Sequence, residues 1–289
     1  MNKSQTTDHQ VTVSVDWLNS HINDDNLVVI DGTWHLPNVE RDPKAEYFEG
    51  HIPKAVFFDL EKQSNPITPK ALMMPSAEQF GRQMGELGIS HTDTIVIYDA
   101  AGLFSAARVW WMFWQFGAHR TYILDGGLPA WQKAGYALES GPFSLPPKTF
   151  NAKIDDALII DLEAMKKAVA NPEQTRVFDA RGKARFSGTA PEPRPNVRNG
   201  HMPGAINMPY GTLLDDEKKL LPPASLQKIF ENAGYDPNKA TISTCGSGGV
   251  TACIILLALA RLGKTNVPLY DGSWSEWGAQ PDTPVVCAE

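Results

Sequence analysis

The stretch Thr241-Ile-Ser-Thr-Cys245-Gly-Ser-Gly-Gly-Val-Thr251, followed by Ala252-Cys-Ile-Ile-Leu-Leu-Ala-Leu-Ala-Arg-Leu262, decides the reading of this chain. The residues before Cys245 include Ile and Thr and suit a buried strand. Three glycines follow in four positions, then a long apolar run of good helix formers. That order predicts strand, tight loop and helix. A cysteine at this junction lies at the floor of a loop whose backbone N–H groups can turn inward, beside the positive end of a helix dipole. Both effects favour thiolate over thiol, which marks Cys245 as a candidate nucleophile. Gly246, Gly248 and Gly249 let the backbone approach an anion with no side chain in the way. The competing reading is a buried cysteine at a strand end, since free cysteine is among the most buried residue types.

Outward from this stretch, the chain repeats itself. Leu27-Val-Val-Ile-Asp31 matches Arg176-Val-Phe-Asp179, and Gly50-His-Ile-Pro-Lys-Ala55 matches Gly200-His-Met-Pro-Gly-Ala205. Thr94-Ile-Val-Ile-Tyr-Asp99 matches the segment ending in Cys245, and Asp125-Gly-Gly-Leu-Pro-Ala-Trp131 matches Asp271-Gly-Ser-Trp-Ser-Glu-Trp277. The offsets 245 minus 99, 263 minus 117, 271 minus 125 and 277 minus 131 are all 146. A period this long is a duplicated domain, not a solenoid. Strand-like and helix-like segments alternate in each half, which predicts an α/β fold with a mainly parallel sheet per domain, flanked by helices. The expected bounds are 1–138 for the first domain, 139–153 for a Gly- and Pro-rich linker, and 154–289 for the second domain.

Composition sets limits. A chain of 289 residues with 42% hydrophobic residues supports ordinary globular cores. The net charge of -7 gives no support to a nucleic-acid partner. Three cysteines, with no Cys-x-x-Cys and no His/Cys cluster, argue against a disulfide framework and against a metal site, and no cofactor is implied. The first ten residues have no apolar core of a signal peptide, and no run reaches membrane-spanning length. The expectation is a cytoplasmic protein with no membrane association.

The duplication separates fold from chemistry. His51 with His201, Asp31 with Asp179, Asp125 with Asp271 and Trp131 with Trp277 occur in both halves and read as fold residues. Cys245 occurs once; its counterpart is Asp99, which cannot act as a soft sulfur nucleophile. The glycine loop is also special to the second half, where the first reads Asp99-Ala-Ala-Gly-Leu-Phe-Ser105. Arg185 and Arg194 have no counterpart and flank the turn-rich stretch Phe186-Ser-Gly-Thr-Ala-Pro-Glu-Pro193. Two such arginines can clamp a carboxylate. Alternatively they are surface charges paired with Glu192 and its neighbours. Cys253, eight positions past Cys245 on an apolar helix, reads as core.

These residues resemble the two-domain sulfurtransferases of the rhodanese superfamily, and among them the 3-mercaptopyruvate sulfurtransferases. The resemblance runs from about Val11 to Val286 and rests on several motifs together. They are Asp179-Ala-Arg181, Arg185-Phe186, Pro191-Glu-Pro-Arg194, Gly200-His-Met-Pro-Gly-Ala205 and Cys245-Gly-Ser-Gly248, with Phe57-Phe-Asp59, Ser105-Ala-Ala-Arg-Val-Trp-Trp-Met112 and Asp125-Gly-Gly127 in the first half. It implies two similar α/β domains with the active site between them and the nucleophile on the second. Thiosulfate-preferring members usually carry basic side chains just after the cysteine. The neutral Gly246-Ser247-Gly248 here suits a monoanionic α-keto acid. The resemblance implies that Arg185 and Arg194 hold the carboxylate and keto oxygen of 3-mercaptopyruvate, with Gly246, Gly248, Gly249, Val250 and Thr251 lining the site and Ser247 assisting catalysis. Cys245 would carry the sulfur as a persulfide and pass it to thioredoxin, a small thiol or cyanide.

Two departures from the family pattern stand out. Five residues separate Cys245 from Thr251, where the family has four, so an added glycine is expected to widen the cradle. Thr251 also stands where phosphatases of the superfamily have an oxyanion-binding arginine, which removes the main electrostatic contribution to phosphate chemistry. The family's acid and histidine, which form a relay with the loop serine, are represented by Glu61 and Leu72. Glu61 can stand in for the acid; Leu72 cannot transfer a proton. A sulfurtransferase for thiosulfate or another donor, and a weakly catalytic persulfide carrier with a regulatory role, therefore stay open beside the mercaptopyruvate reading.

Overall fold

Apolar runs without alternation, such as Thr94–Tyr98, suit strands covered on both faces, which is the setting of a parallel sheet. In the computed structural model, which describes residues 9–65, 72–154 and 156–287, such runs sit at the centre of two parallel sheets. The first compact unit is Gln10–Asp155 with Asp216–Lys219. Its strands are β1 (Thr12–Val13), β2 (Leu27–Asp31), β3 (Ala55–Phe57), β4 (Thr94–Tyr98) and β5 (Thr121–Leu124), in the order β1-β5-β4-β2-β3. The second unit is Asp156–Asp215 with Leu220–Glu289, and His9 belongs to it. Its strands are β6 (Ile159–Ile160), β7 (Thr175–Asp179), β8 (Ile206–Asn207), β9 (Ala240–Thr244) and β10 (Leu269–Tyr270), in the order β6-β10-β9-β7-β8. All strand pairs are parallel and the two orders are the same, as a duplication requires.

The helices after the central strands obey the 146-residue offset: Ala106–Gln115 follows β4 and Ala252–Arg261 follows β9. From Ala252 to Ala260 every residue is buried, which is why this helix is apolar all round and has no polar stripe. Cys253 is 0% exposed, in the core as expected. Trp131 and Trp277 are both buried and donate from Nε1 to the carbonyls of Ala137 and Pro284, each at 2.9 Å. His51 and His201 also share one role. Each Nδ1 bonds a backbone carbonyl, of Tyr47 at 2.9 Å and of Phe186 at 2.8 Å, and each ring stacks on that residue's ring.

The stretch 139–153 lies along the first unit and is not a free tether, which corrects the expected boundary at 138. His51 and Glu139 exchange backbone hydrogen bonds at 2.9 Å, and Phe150 is buried against Phe80 and Phe113. The physical reason lies on helix Ala77–Glu86. A Cβ on Gly81 would meet Phe150 O at 2.8 Å, and one on Gly85 would meet Lys148 O at 2.6 Å. One turn apart, these glycines open a groove into which the extended, Pro-rich chain is laid. At the other end of the chain, His9 N–H donates to Arg261 O at 3.1 Å, so this residue joins the second unit.

Candidate active site

Strands β7 and β9 pair from Thr175↔Ala240 to Asp179↔Thr244. Their carboxyl ends therefore lie side by side, where ligands bind in open parallel sheets. Cys245 follows β9 directly, and Asp179-Ala-Arg181 closes β7. Cys245 is 1% exposed, and its Sγ lies 3.7 Å from Ser247 O and 3.7 Å from Ser273 Oγ. The loop is pinned from outside: Trp274 N–H donates to Cys245 O and Ser275 N–H to Gly246 O, both at 2.9 Å. Gly248 and Gly249 have φ of 54° and 65°, consecutive left-handed residues that only glycine adopts at little cost.

The loop's N–H groups separate the two halves. Those of Gly246, Ser247, Gly248, Val250 and Thr251 make no hydrogen bond with a described residue; that of Gly249 donates to Ser273 Oγ at 3.2 Å. In the first half the corresponding loop is occupied by its own side chain. The Asp99 carboxylate accepts from Ala101 N–H at 2.9 Å, Phe104 N–H at 2.7 Å and Ala106 N–H at 2.9 Å. Burial pushes the Asp99 carboxyl up, against the downward pull of those N–H groups. The repeat thus builds the loop twice and places a carboxylate at its head in one copy and a sulfur in the other.

Arg185 sits on a one-turn helix, Lys183–Phe186, and its guanidinium lies over the cysteine loop. A Cβ on Gly246 would lie 2.4 Å from Arg185 Nη2 and 3.2 Å from Nη1. The ion pair with Glu192 is also real: Nη2 bonds Oε2 at 2.5 Å and Nε bonds Oε1 at 3.3 Å. The two readings of Arg185 are therefore not exclusive. Its two-pronged face is taken by Glu192, and Nη1 is the donor that stays uncommitted among the described residues. Arg194 is half-buried and forms no hydrogen bond or ion pair with a described residue. Ser247 Oγ is buried without a partner among the described residues, and Thr251 is the N-cap of Ala252–Arg261 without a side-chain cap bond.

The Rhodanese-like domain family matches residues 14–134 and 161–280. The chain belongs to the rhodanese family of sulfurtransferases. The Escherichia coli (strain K12) 3-mercaptopyruvate sulfurtransferase is 44% identical over 94% of this chain and 96% of its own length. The Arabidopsis thaliana mitochondrial thiosulfate/3-mercaptopyruvate sulfurtransferase 1 is 40% identical over 99% of this chain and 80% of its own. Among solved structures, that of SseA from Escherichia coli, a 3-mercaptopyruvate sulfotransferase, superposes with a TM-score of 0.84 at 40% identity, covering 93% of this chain and all of that one. Like those proteins, this member of the family is a sulfurtransferase.

Two residues at this rhodanese-family site were not singled out as site residues from the sequence. Ser273 has a left-handed backbone, φ 54°, is fully buried and stands beside the sulfur. Its counterpart 146 residues earlier is Gly127, with φ 57°. A serine opposite a glycine in the repeat was the available signal. Arg181 is the other. It holds Asp179 through Nε at 3.1 and 3.0 Å and through Nη2 at 2.7 Å, and Glu192 through Nη1 at 2.9 Å, and it stacks on Trp274 at 4.4 Å. Burial alone would lower its basicity, but the charges of Asp179 and Glu192 hold it above the ordinary arginine value.

Glu61 and Leu72 lie in the first unit. Glu61 Oε1 accepts from Trp34 Nε1 at 3.0 Å. Leu72 is buried, with φ 62°, and its carbonyl accepts from the buried Arg108 at 2.7 Å. Its position is thus held by backbone geometry and core packing. Among the described residues no helix is long and apolar enough to cross a membrane.

Proposed function

We propose that this sulfurtransferase takes sulfur from 3-mercaptopyruvate through a persulfide on Cys245 and delivers it to a thiol, releasing pyruvate. One observation carries the reading. Five N–H groups of the loop that opens with the buried Cys245 have no partner among the described residues, whereas the duplicate loop spends three donors of the same kind on a carboxylate. Uncommitted donors of this kind suit a sulfur that is anionic before attack and again when the outer sulfur leaves.

The Cys245 thiolate attacks the donor's thiol sulfur. A sulfur–sulfur bond forms, the carbon–sulfur bond breaks, and its electron pair leaves as pyruvate enolate. The enolate takes a proton from solvent, with Ser247 Oγ as the nearby hydroxyl to pass it on; Leu72 offers none. Arg185 Nη1 and the unpaired Arg194 orient the carboxylate and keto oxygen. An acceptor thiolate, of thioredoxin or a small thiol, then attacks the outer sulfur and returns Cys245 to its starting state. The neutral loop favours a monoanionic donor over dianionic thiosulfate; the Arabidopsis relative, whose name carries both donors, keeps thiosulfate as a second arm of the test. The three cysteines are all free, which fits a reducing compartment such as the cytoplasm.

The test compares turnover with mercaptopyruvate and with thiosulfate, using cyanide as acceptor. Mercaptopyruvate is expected to be the better donor. Cys245→Ser, nearly isosteric, should abolish turnover while leaving the fold intact. Mass spectrometry after donor treatment should find one added sulfur on Cys245. An adduct confined to Cys253 or Cys287 would overturn the assignment, and turnover of neither donor would favour a persulfide carrier.

A further inference from the structure

The charges of the second unit's site form a closed set. Asp179, Arg181, Glu192 and Arg185 are linked in that order by ion pairs of 2.7, 2.9 and 2.5 Å. The side chains of Asp179, Arg181 and Glu192 are 1%, 1% and 4% exposed, so these are fixed charges in a poorly screened setting. Two cations and two anions cancel. Of the two arginines that flank this loop, Arg194 alone lacks a carboxylate partner among the described residues.

We propose that Glu192 is the positioning and specificity residue of this site: its carboxylate holds Arg185 over Gly246 and cancels its charge, so the pocket accepts a monoanionic donor and discriminates against a dianion. This rests on the reading of Arg185 as a donor contact. Two effects follow from one side chain. The geometric one applies to every donor, because the bonds of Nε and Nη2 to Glu192 fix the guanidinium over Gly246 and leave Nη1 uncommitted among the described residues. The electrostatic one scales with the donor's charge, because each negative charge on the donor is repelled by the Glu192 carboxylate at the same distance. A site that binds a dianion must add cations, and Gly246-Ser247-Gly248 adds none.

The experiment uses the full chain and measures kcat and KM for mercaptopyruvate and thiosulfate in three proteins. Glu192→Gln keeps shape and removes charge. Glu192→Asp keeps charge and withdraws the carboxylate by one methylene. In Glu192→Gln the ratio of thiosulfate to mercaptopyruvate kcat/KM should rise about tenfold, mainly through the KM of thiosulfate, and the rise should shrink with added salt. In Glu192→Asp the kcat/KM of both donors should fall together, leaving their ratio unchanged. Equal losses for both donors in Glu192→Gln would overturn the proposal and leave Glu192 a structural residue. Should Glu192→Gln not fold, the unaltered protein decides: pyruvate should inhibit competitively at lower concentration than oxalate, and the reverse order would overturn the proposal. An Arg185→Ala protein with unchanged constants for both donors would instead refute the donor-contact reading beneath it.

Discussion

Ser273 offers a test in which stability and activity move apart. Its backbone lies at φ 54°, a conformation that costs a residue with a Cβ roughly 1–2 kcal/mol. Its hydroxyl accepts from Gly249 N–H at 3.2 Å, reaches the carbonyls of Tyr270 and Asp271 at 3.3 and 3.4 Å, and stands 3.7 Å from Cys245 Sγ. Ser273→Ala keeps the strain and leaves the buried Gly249 N–H unpaired, a cost of about 1–3 kcal/mol. Ser273→Gly incurs the same loss but releases the strain, so the two contributions nearly cancel and its stability should fall within about 1 kcal/mol of the parent. Gly127, at φ 57° in the first half, is the precedent that glycine fits this backbone. Thermal or denaturant unfolding should therefore rank the parent and the glycine variant together, with alanine lowest by a few degrees. Sulfur transfer should fall about tenfold in both variants, because both lack the hydroxyl beside the sulfur. A glycine variant less stable than the alanine variant would refute the strain argument. Full activity in both would show that the hydroxyl serves the fold alone.

Two further outcomes are expected. Gly246→Ala places a methyl 2.4 Å from Arg185 Nη2, so the guanidinium must swing off the loop; kcat/KM should drop at least about tenfold, and the unfolding midpoint should fall by a few degrees, because Arg185 gives up Glu192 while Arg181 keeps it. Burial, helped by the charge of Asp99, pushes the Asp31 carboxyl from 3.8 up to about 6, so the fold holds the acid form and loses roughly 3 kcal/mol as pH rises from about 4 through about 6. Asp31→Asn should gain that amount on the parent over this window and stay level above it, as read by denaturant unfolding at a series of pH values; parallel curves for the two proteins would remove burial as the cause.

The two parallel sheets and their duplication were legible because strand and helix periodicity, and the constant offset of 146, are properties of residue order alone; the strand order within each sheet was not. The singular cysteine was legible for the same reason: duplication marks Cys245 against Asp99. Ser273 was not, since a left-handed backbone leaves no trace in composition; it shows only when the repeat sets Ser273 against Gly127. Glu192 was read only as a partner of Arg185 and Arg194 should those be plain surface charges. Its real position, between two arginines, needs Arg181 and Arg185 to converge in space, and no spacing reports that. The stretch 139–153 misleads because proline and glycine signal extended chain equally whether it is tethered or docked. The glycines that receive it, Gly81 and Gly85, lie some sixty residues earlier.

Within one chain, the duplicated loop is an internal experiment in what a reactive site costs. In the first copy, Asp99 supplies its own anion, and three N–H groups find a partner fixed by the fold. In the second, the Cys245 sulfur carries no such carboxylate, and five N–H groups of the same loop lack a partner among the described residues. A buried donor left without a partner costs about 1–3 kcal/mol, and the left-handed Ser273 adds roughly 1–2 more. The second half meets that cost with a buried apolar helix behind the loop and with Trp274 and Ser275 holding the carbonyls of Cys245 and Gly246 from outside. Those carbonyl contacts account for two of the five: with the carbonyls of Cys245 and Gly246 held by Trp274 and Ser275, peptide planarity points the N–H groups of Gly246 and Ser247 the opposite way. The loop is therefore held with donors that an acceptor at the sulfur would satisfy, which is the role the proposed persulfide on Cys245 would fill.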